Sequence, residues 1–306
     1  MGRLDGRVAV ITGAGRGIGA SLARIMAAEG CAVVVNDLGV SVDGVGEDTK
    51  PADQVVGEII SAGGVAKSNF DDVADHGAAE NLIQSAIEEF GQLDVLVNVA
   101  GILRDRMLFN MSEQEWDDVI RVHLKGTYNT TKHASVYWRK ERKGSYRIIN
   151  FTSGSGLHGA PGQPNYAAAK LGVVGFTYSC ANALGPYGVT ANAIAPGAAT
   201  RMTSTIPVAQ RESLGLTEQN ALLSPDNVAP PVVYLASEAS GWLNGRVIGA
   251  TGYQISLYNN PEVIREIAAP GPWSLDDAFE HIERSFRPVV EGHVGFGPPV
   301  PRDNKD

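Results

Sequence analysis

The sequence predicts an α/β fold: a doubly wound parallel sheet in three layers, α/β/α, forming a single domain with a C-terminal extension. Three observations predict it. Short apolar runs such as Val8–Thr12, Ala32–Asn36 and Asp94–Asn98 alternate with patterned stretches of helical length. Those runs are apolar throughout rather than at every second residue, the pattern of strands covered on both faces. No break in composition divides the first 255 residues, and only the segment after them becomes richer in proline and charge.

Taken in order, Val8–Thr12 is a buried strand that runs into glycines and then a helical stretch from Ile18 to Ala28. Ala32–Asn36 repeats the strand pattern. Pro51–Ser61 is the next helix, with proline in the first turn, where a missing N–H costs no hydrogen bond. Val65–Asn69 is a weaker strand, His76–Phe90 a helix and Asp94–Asn98 a strong strand. A long helix is predicted over residues 112–141, opened by the capping box Ser112-x-x-Glu115. Tyr146–Phe151 is a strand, Asn165–Leu184 a helix, Val189–Ala195 a strand, and Arg246–Ala250 the last strand. The resulting division is a catalytic domain over 1–255 and an extension over 256–306, packed on the same domain and carrying a helix over Ser274–Phe286.

Bulk composition excludes several classes. The 306 residues are 43% hydrophobic and 19% charged, ample for a core and unlike a disordered chain. A net charge of -9 argues against a nucleic-acid binder, which shows a basic footprint. No run of eighteen apolar residues is present to span a membrane, and the N-terminus lacks the apolar stretch of a secretory signal, so a cytoplasmic location is expected. The two cysteines, Cys31 and Cys180, sit among small and apolar residues and read as buried thiols in a reducing compartment, with no metal site.

Two constellations carry chemistry. Thr12-Gly-Ala-Gly-Arg-Gly-Ile-Gly19 follows the first strand and opens the first helix, where glycine lets the backbone approach a pyrophosphate closely. The helix N-terminus then offers free N–H groups and its positive dipole end. Asp37, after the second strand, suits the ribose hydroxyls of NAD and repels the 2′-phosphate of NADP. Arg16 inside the loop argues the other way, because guanidinium suits phosphate. The carboxylate is given more weight, so NAD is the expected cofactor. The second constellation is Tyr166 and Lys170, four residues apart and so on one helical face, with Ser153 upstream after a buried strand. A neighbouring ammonium favours the phenolate and makes Tyr166 a usable acid/base near neutral pH.

With these residues, the chain resembles the short-chain dehydrogenase/reductases over roughly residues 5–255. The matching elements are Thr12-Gly-x3-Gly-Ile-Gly19, Asn98-Val-Ala-Gly101, Ser153, Tyr166-x3-Lys170 and Ala195-Pro-Gly197. The usual Asn-Asn-Ala-Gly element stands here as Asn98-Val-Ala-Gly101. Val35-Asn-Asp-Leu-Gly39, the loop 40–50, Ala100–Arg106, Arg121–Gly126 and Arg201-Met-Thr203 resemble more narrowly the (3R)-hydroxyacyl-CoA dehydrogenase branch found in multifunctional peroxisomal enzymes. The C-terminal extension is also typical of that branch.

The resemblance implies a Rossmann-type fold and roles for particular residues. Tyr166 is the acid/base on the substrate oxygen, Ser153 stabilises that oxygen, and Lys170 holds the nicotinamide ribose. Gly13, Gly15, Arg16, Gly17, Ile18 and Gly19 surround the pyrophosphate, and Asp71 and Asp72 stand near the adenine edge. Asn98, Ala100 and Gly101 line the cofactor path, and Pro196, Gly197, Ala198 and Thr200 cover the carboxamide. His123 occupies the place where many members carry a catalytic asparagine, and is expected either as a relay member or as a packed helix residue. The implied substrate is a 3-hydroxyacyl-CoA or a bulky steroid-like acyl-CoA. The alternatives are a hydroxysteroid or other small secondary alcohol, or a non-catalytic NAD-binding regulator. Arg104, Arg106 and Arg201 are candidates for the CoA phosphates, with structural ion pairs as the competing reading. The family's helical interface implies a homodimer or homotetramer, and small and apolar residues at Val173, Val174, Phe176 and Ala181 are compatible with it. The chain ends in Asn304-Lys-Asp306 rather than a peroxisomal Ser-Lys-Leu, and any hydratase partner is expected to be a separate protein.

Overall fold

The computed structural model describes residues 2–41, 43–44, 50–142, 144–198 and 220–292. Two compact units emerge, Met1–Tyr258 and Asn259–Asp306. The first is built on one sheet of eight strands in the order β3-β2-β1-β4-β5-β6-β7-β8. These are β1 (Val8–Thr12), β2 (Ala32–Asn36), β3 (Val65–Asn69), β4 (Val95–Asn98), β5 (Tyr146–Phe151), β6 (Val189–Gly197), β7 (Val247–Thr251) and β8 (Gln254–Tyr258). The first seven pair in parallel, and β8 returns antiparallel along β7.

Alternate side chains of each strand feed opposite cores. Ala9 and Ile11 join the cluster formed with Leu22 and Met26 of α1 (Gly17–Ala28), Val55 and Ile59 of α2 (Lys50–Ser61) and Val232 and Leu235 of α8 (Ala229–Ala236). Val8 and Val10 join Leu82 of α3 (His76–Phe90), Trp138 of α5 (Gly126–Glu141) and Cys180 of α7 (Pro164–Leu184). With both faces covered, the strands have no solvated side, which is why their sequences are apolar throughout. Strand order reverses between β1 and β4, and ligands of such sheets bind in the crevice that opens there at the carboxyl ends of the strands.

The expected strands and helices form, with four differences. The helix over 112–141 is interrupted: α4 (Glu113–Ile120) ends in a π-helical turn, Arg121–Lys125, before α5 begins. Its predicted capping box is present, with Glu115 N donating to Ser112 Oγ at 3.2 Å and Ser112 N to Glu115 Oε2 at 2.8 Å. The strand at 247–251 is not the last. β8 escaped notice because Ile255 and Leu257 are exposed and it lacks an apolar face turned inward. α8 opens on Pro230 and Pro231, which look like a loop but sit in its first turn. α6 (Gly154–His158) is too short to show a helical period.

Cys31 and Cys180 are free and buried, and burial raises their thiols to about 12 and about 11. Val173, Val174 and Ala181 are buried within the unit, so they mark its core rather than an interface. The large apolar side chains exposed on α5 and α7 are Tyr128, Val136 and Leu171. In the second unit, α9 (Leu275–Gly292) begins at Ser274, whose Oγ accepts from Asp277 N at 3.1 Å. Among the described residues no helix is long and apolar enough to cross a membrane.

Candidate active site

The glycine loop is shaped by close backbone approach. Gly13 has φ +63°, and a Cβ there would lie 2.8 Å from Ala100 Cα. A Cβ on Gly19 would lie 2.2 Å from Gly13 O, so the first turn of α1 packs directly on the loop. Thr12 Oγ1 accepts from the N–H groups of Val99 and Ala100, each at 3.1 Å, and joins the loop after β1 to the one after β4. Between these loops lies a pocket lined by Gly13, Arg16, Gly17, Ile18 and Gly19 on one side, by Asp37, Asp71 and Asp72 at the far end, and by Ala100 and Gly101. The N-terminus of α1 faces this pocket and suits an anion.

Asp37 is buried at its edge. Its Oδ2 accepts from Gly15 N at 2.9 Å and its Oδ1 from Gly39 N at 2.8 Å. Gly15 is thus the backbone support of the carboxylate rather than a pocket wall, and a Cβ on it would meet Asp37 Oδ2 at 2.8 Å. Each oxygen keeps a lone pair for a ribose hydroxyl. Arg16 Nη1 donates to Val40 O at 3.3 Å. Asp72 is ion-paired with Arg121 at 3.0 Å, and Asn36 Nδ2 donates to Asp71 O at 2.9 Å.

Asn98 is placed differently from the residues beside it. Its Nδ2 donates to Asn150 Oδ1 at 2.9 Å and its Oδ1 accepts from Thr130 Oγ1 at 2.7 Å, so the side chain joins β4, β5 and α5 and lines no part of the pocket. Pro196, Gly197 and Ala198 lie half-buried at the end of β6, where Gly197 abuts Thr251. Thr200 and Arg201 lie outside the described residues.

The catalytic candidates converge beside the pocket. Ser153 precedes α6, and its Oγ accepts from Ser155 N at 3.2 Å. Tyr166 and Lys170 share one face of α7, with Lys170 Nζ 5.6 Å from the centre of the phenol ring. Lys170 Nζ donates to Phe151 O at 2.7 Å. Burial depresses the ammonium to about 7 and raises the Tyr166 phenol to about 12, against the hydrogen bond from Ser153 that draws it down. The Tyr166 phenol therefore stands above its ordinary value, not below it as the neighbouring ammonium alone suggests. Desolvation disfavours both charged forms, so burial opposes the help that the ammonium gives the phenolate.

His123 sits in the π-helical turn, buried, its ring edge-on to Tyr166 with centres 5.1 Å apart. Its Nε2 lies 2.8 Å from Ile102 O and 3.1 Å from Ile102 N, while Nδ1 has no partner among the described residues. Burial pushes the imidazole down to about 3, so it is neutral at physiological pH. Its carbonyl accepts from Thr127 Oγ1 at 2.7 Å.

Arg104 and Arg106 are engaged by carboxylates. Arg104 reaches Asp118 at 3.3 Å and Arg106 reaches Glu115 at 3.0 Å, and the Ser112 N–H first, then Arg106, hold Glu115 at about 2. The ion-pair reading thus describes both arginines. Asn165, which sequence reasoning passed over, is fully buried. Its Nδ2 donates to the carbonyls of Arg104 and Glu115 at 3.0 and 2.9 Å, and its Oδ1 accepts from Tyr166 N at 2.7 Å. An asparagine at the start of an otherwise apolar helix was its one signal. Val122 and Ile102 were also missed as pocket walls, since apolar residues carry no chemical signature.

Comparison with known proteins agrees with this geometry. Residues 7–211 match the family model described as short chain dehydrogenase. The peroxisomal hydratase-dehydrogenase-epimerase of Neurospora crassa is 42% identical over 254 residues, 83% of this chain but 27% of its own, so the chain spans about a quarter of that relative. The hydroxyacyl-CoA dehydrogenase ChsB1 of Mycobacterium tuberculosis is 42% identical over 275 residues, 88% of this chain and 84% of its own. A crystal structure of a short chain dehydrogenase from Mycobacterium avium superimposes with a TM-score of 0.82 at 41% identity, covering 98% of this chain and 99% of that one.

Proposed function

Because the chain belongs to the short-chain dehydrogenase family, we propose that it is an NAD-dependent oxidoreductase acting on a 3-hydroxyacyl-CoA or the corresponding 3-oxo compound. The single observation that carries the reading is the convergence of Ser153, Tyr166 and Lys170 beside a glycine-walled pocket ending at Asp37. Relatives named for hydroxyacyl-CoA chemistry support the substrate class.

The pocket fits a dinucleotide. Gly13 and Gly19 leave no room for a Cβ, and the buried Asp37 carboxylate at the pocket would accept from the adenosine ribose hydroxyls. That carboxylate favours NAD, because a 2′-phosphate beside it would be repelled. When bound, the nicotinamide supplies a hydride acceptor or donor. The chain's own residues handle the proton. Tyr166, held as a neutral phenol by burial, donates to a carbonyl oxygen in reduction and receives the alcohol proton in oxidation. Oxidation requires the phenolate, which a positive charge brought next to the pair favours. Ser153 hydrogen-bonds the same oxygen and stabilises charge developing on it. Lys170, fixed by Phe151 O, would hold the nicotinamide ribose through its ammonium. The His123 imidazole is neutral, so its part in a proton relay is to hold hydrogen bonds rather than to carry charge. A cytoplasmic homodimer or homotetramer completes the reading, and sedimentation of the purified protein tests the assembly.

Turnover of both stereoisomers of 3-hydroxyacyl-CoA thioesters of graded size, beside free hydroxysteroids and with NAD or NADP, tests the substrate and cofactor. Rapid steroid oxidation without thioester turnover overturns the substrate class, and a strong NADP preference overturns the cofactor. Replacing Tyr166 by Phe is expected to cut turnover by roughly 10²–10⁴-fold while NADH binding persists.

A further inference from the structure

Beyond the Ser153–Tyr166–Lys170 group, a second polar string reaches the site from its rim. Asp105 lies in the loop between β4 and α4, and its Oδ2 accepts from Gln163 Nε2 at 2.9 Å. Gln163 Oε1 accepts from Ser155 Oγ at 2.8 Å. Ser155 N donates in turn to Ser153 Oγ, which is hydrogen-bonded to Tyr166. The direction of these bonds is fixed. An ionised carboxylate only accepts, so the Gln163 amide must turn its NH₂ toward Asp105 and its oxygen toward Ser155. One lone pair of Ser153 Oγ is then occupied by Ser155 N, which limits how its hydroxyl can rotate.

The same loop is tied to α7 and to the turn before it at two more points. Arg106 N donates to Gly162 O at 2.7 Å, and Asn165 Nδ2 holds Arg104 O. Asp105 is therefore held in place although its side chain is exposed.

We propose that Asp105 is a positioning residue for the Ser153–Tyr166 pair: through Gln163 and Ser155 it orients the Ser153 hydroxyl. The inference rests on the reading of Tyr166 as the acid/base. Three groups stand against the phenol: Lys170 from its own helix, His123 from the π-helical turn, and Ser153 from the start of α6. His123 is neutral and Lys170 is depressed, which leaves Asp105 as the anion that opposes the phenolate. The neighbouring carboxylates Glu115 and Asp118 are taken up by Arg106 and Arg104.

Two substitutions separate charge from bridge. Asp105→Asn keeps an acceptor for Gln163 Nε2 and removes the charge. The acid limb of kcat/KM for alcohol oxidation is expected to move down by roughly half a pH unit at low ionic strength, and by less in high salt. Gln163→Leu breaks the bridge and keeps the charge, and kcat is expected to fall about tenfold with NADH affinity unchanged. Both limbs are measured beside Tyr166→Phe, with thermal unfolding as the control for folding. A limb that stays at the wild-type pH in Asp105→Asn, or a wild-type kcat in Gln163→Leu, overturns the inference. If Tyr166→Phe turns over normally, the acid/base reading itself falls; if it is inactive while the other two behave as wild type, only the role of Asp105 falls.

Discussion

The His123 imidazole packs against the bare α-carbon of Gly101: a Cβ at that position would lie 2.1 Å from His123 Cε1 and 2.8 Å from Nδ1. The loop after β4 and the π-helical turn can meet only if residue 101 has no side chain. The contact also sets the ring edge-on to Tyr166.

Gly101→Ala is therefore expected to destabilise the protein by about 1–3 kcal/mol, the cost of overpacking a closed site, and to weaken NADH binding. Adding His123→Ala removes the clash, so the double variant recovers stability relative to Gly101→Ala alone. A double-mutant cycle from urea unfolding measures this coupling, and strict additivity contradicts the contact.

The buried Lys170 gives the stability of the protein a pH signature. Its folded value of about 7 lies below the ordinary lysine value of about 10.4, so the unfolded chain binds more protons between them. The buried ammonium thus costs stability in full below pH 7, and the cost fades as pH rises from about 7 toward about 10. Lys170→Met is expected to be more stable than wild type at pH 7 by an order of 1–3 kcal/mol, with the gap closing toward pH ~10. The buried Cys31 and Cys180 thiols oppose this trend at alkaline pH, so the difference between the two proteins is the quantity to follow.

Asp37 combines two duties that one substitution separates. Asp37→Asn keeps an acceptor for one of the two backbone N–H groups from Gly15 and Gly39 and removes the negative charge. The ratio of kcat/KM for NAD over NADP is expected to fall at least about tenfold, equivalent to ~1.4 kcal/mol. An unchanged ratio removes Asp37 as the selector.

Arg147 holds the opposite end of the sheet. Nearly fully buried, it donates to the carbonyls of Tyr146, Ser237 and Glu238 and to Ser240 Oγ, and burial lowers it to about 10. Arg147→Met removes those four hydrogen bonds from a buried site and is expected to cost about 2–4 kcal/mol in urea unfolding, with kcat unchanged in the protein that remains folded.

The local pattern of residues was enough to determine the layered α/β architecture, because strands buried on both faces must be apolar throughout and their helices must carry one apolar stripe. It also marked the glycine loop, where only a residue without a side chain fits, and the one-turn spacing of Tyr166 and Lys170. What it left open depends on groups distant in the chain. The antiparallel β8 has no inward apolar face to announce it, and the π-helical turn that breaks the predicted long helix has no local signal. Asn98 was grouped with the cofactor path from its motif, yet Asn150 and Thr130, on other elements, hold its side chain. Arg104 and Arg106 remained ambiguous until the fold brought Asp118 and Glu115 to them. Even the opposing shifts of Tyr166 and Lys170 follow from burial, a property of the packed chain that four residues of sequence spacing cannot carry.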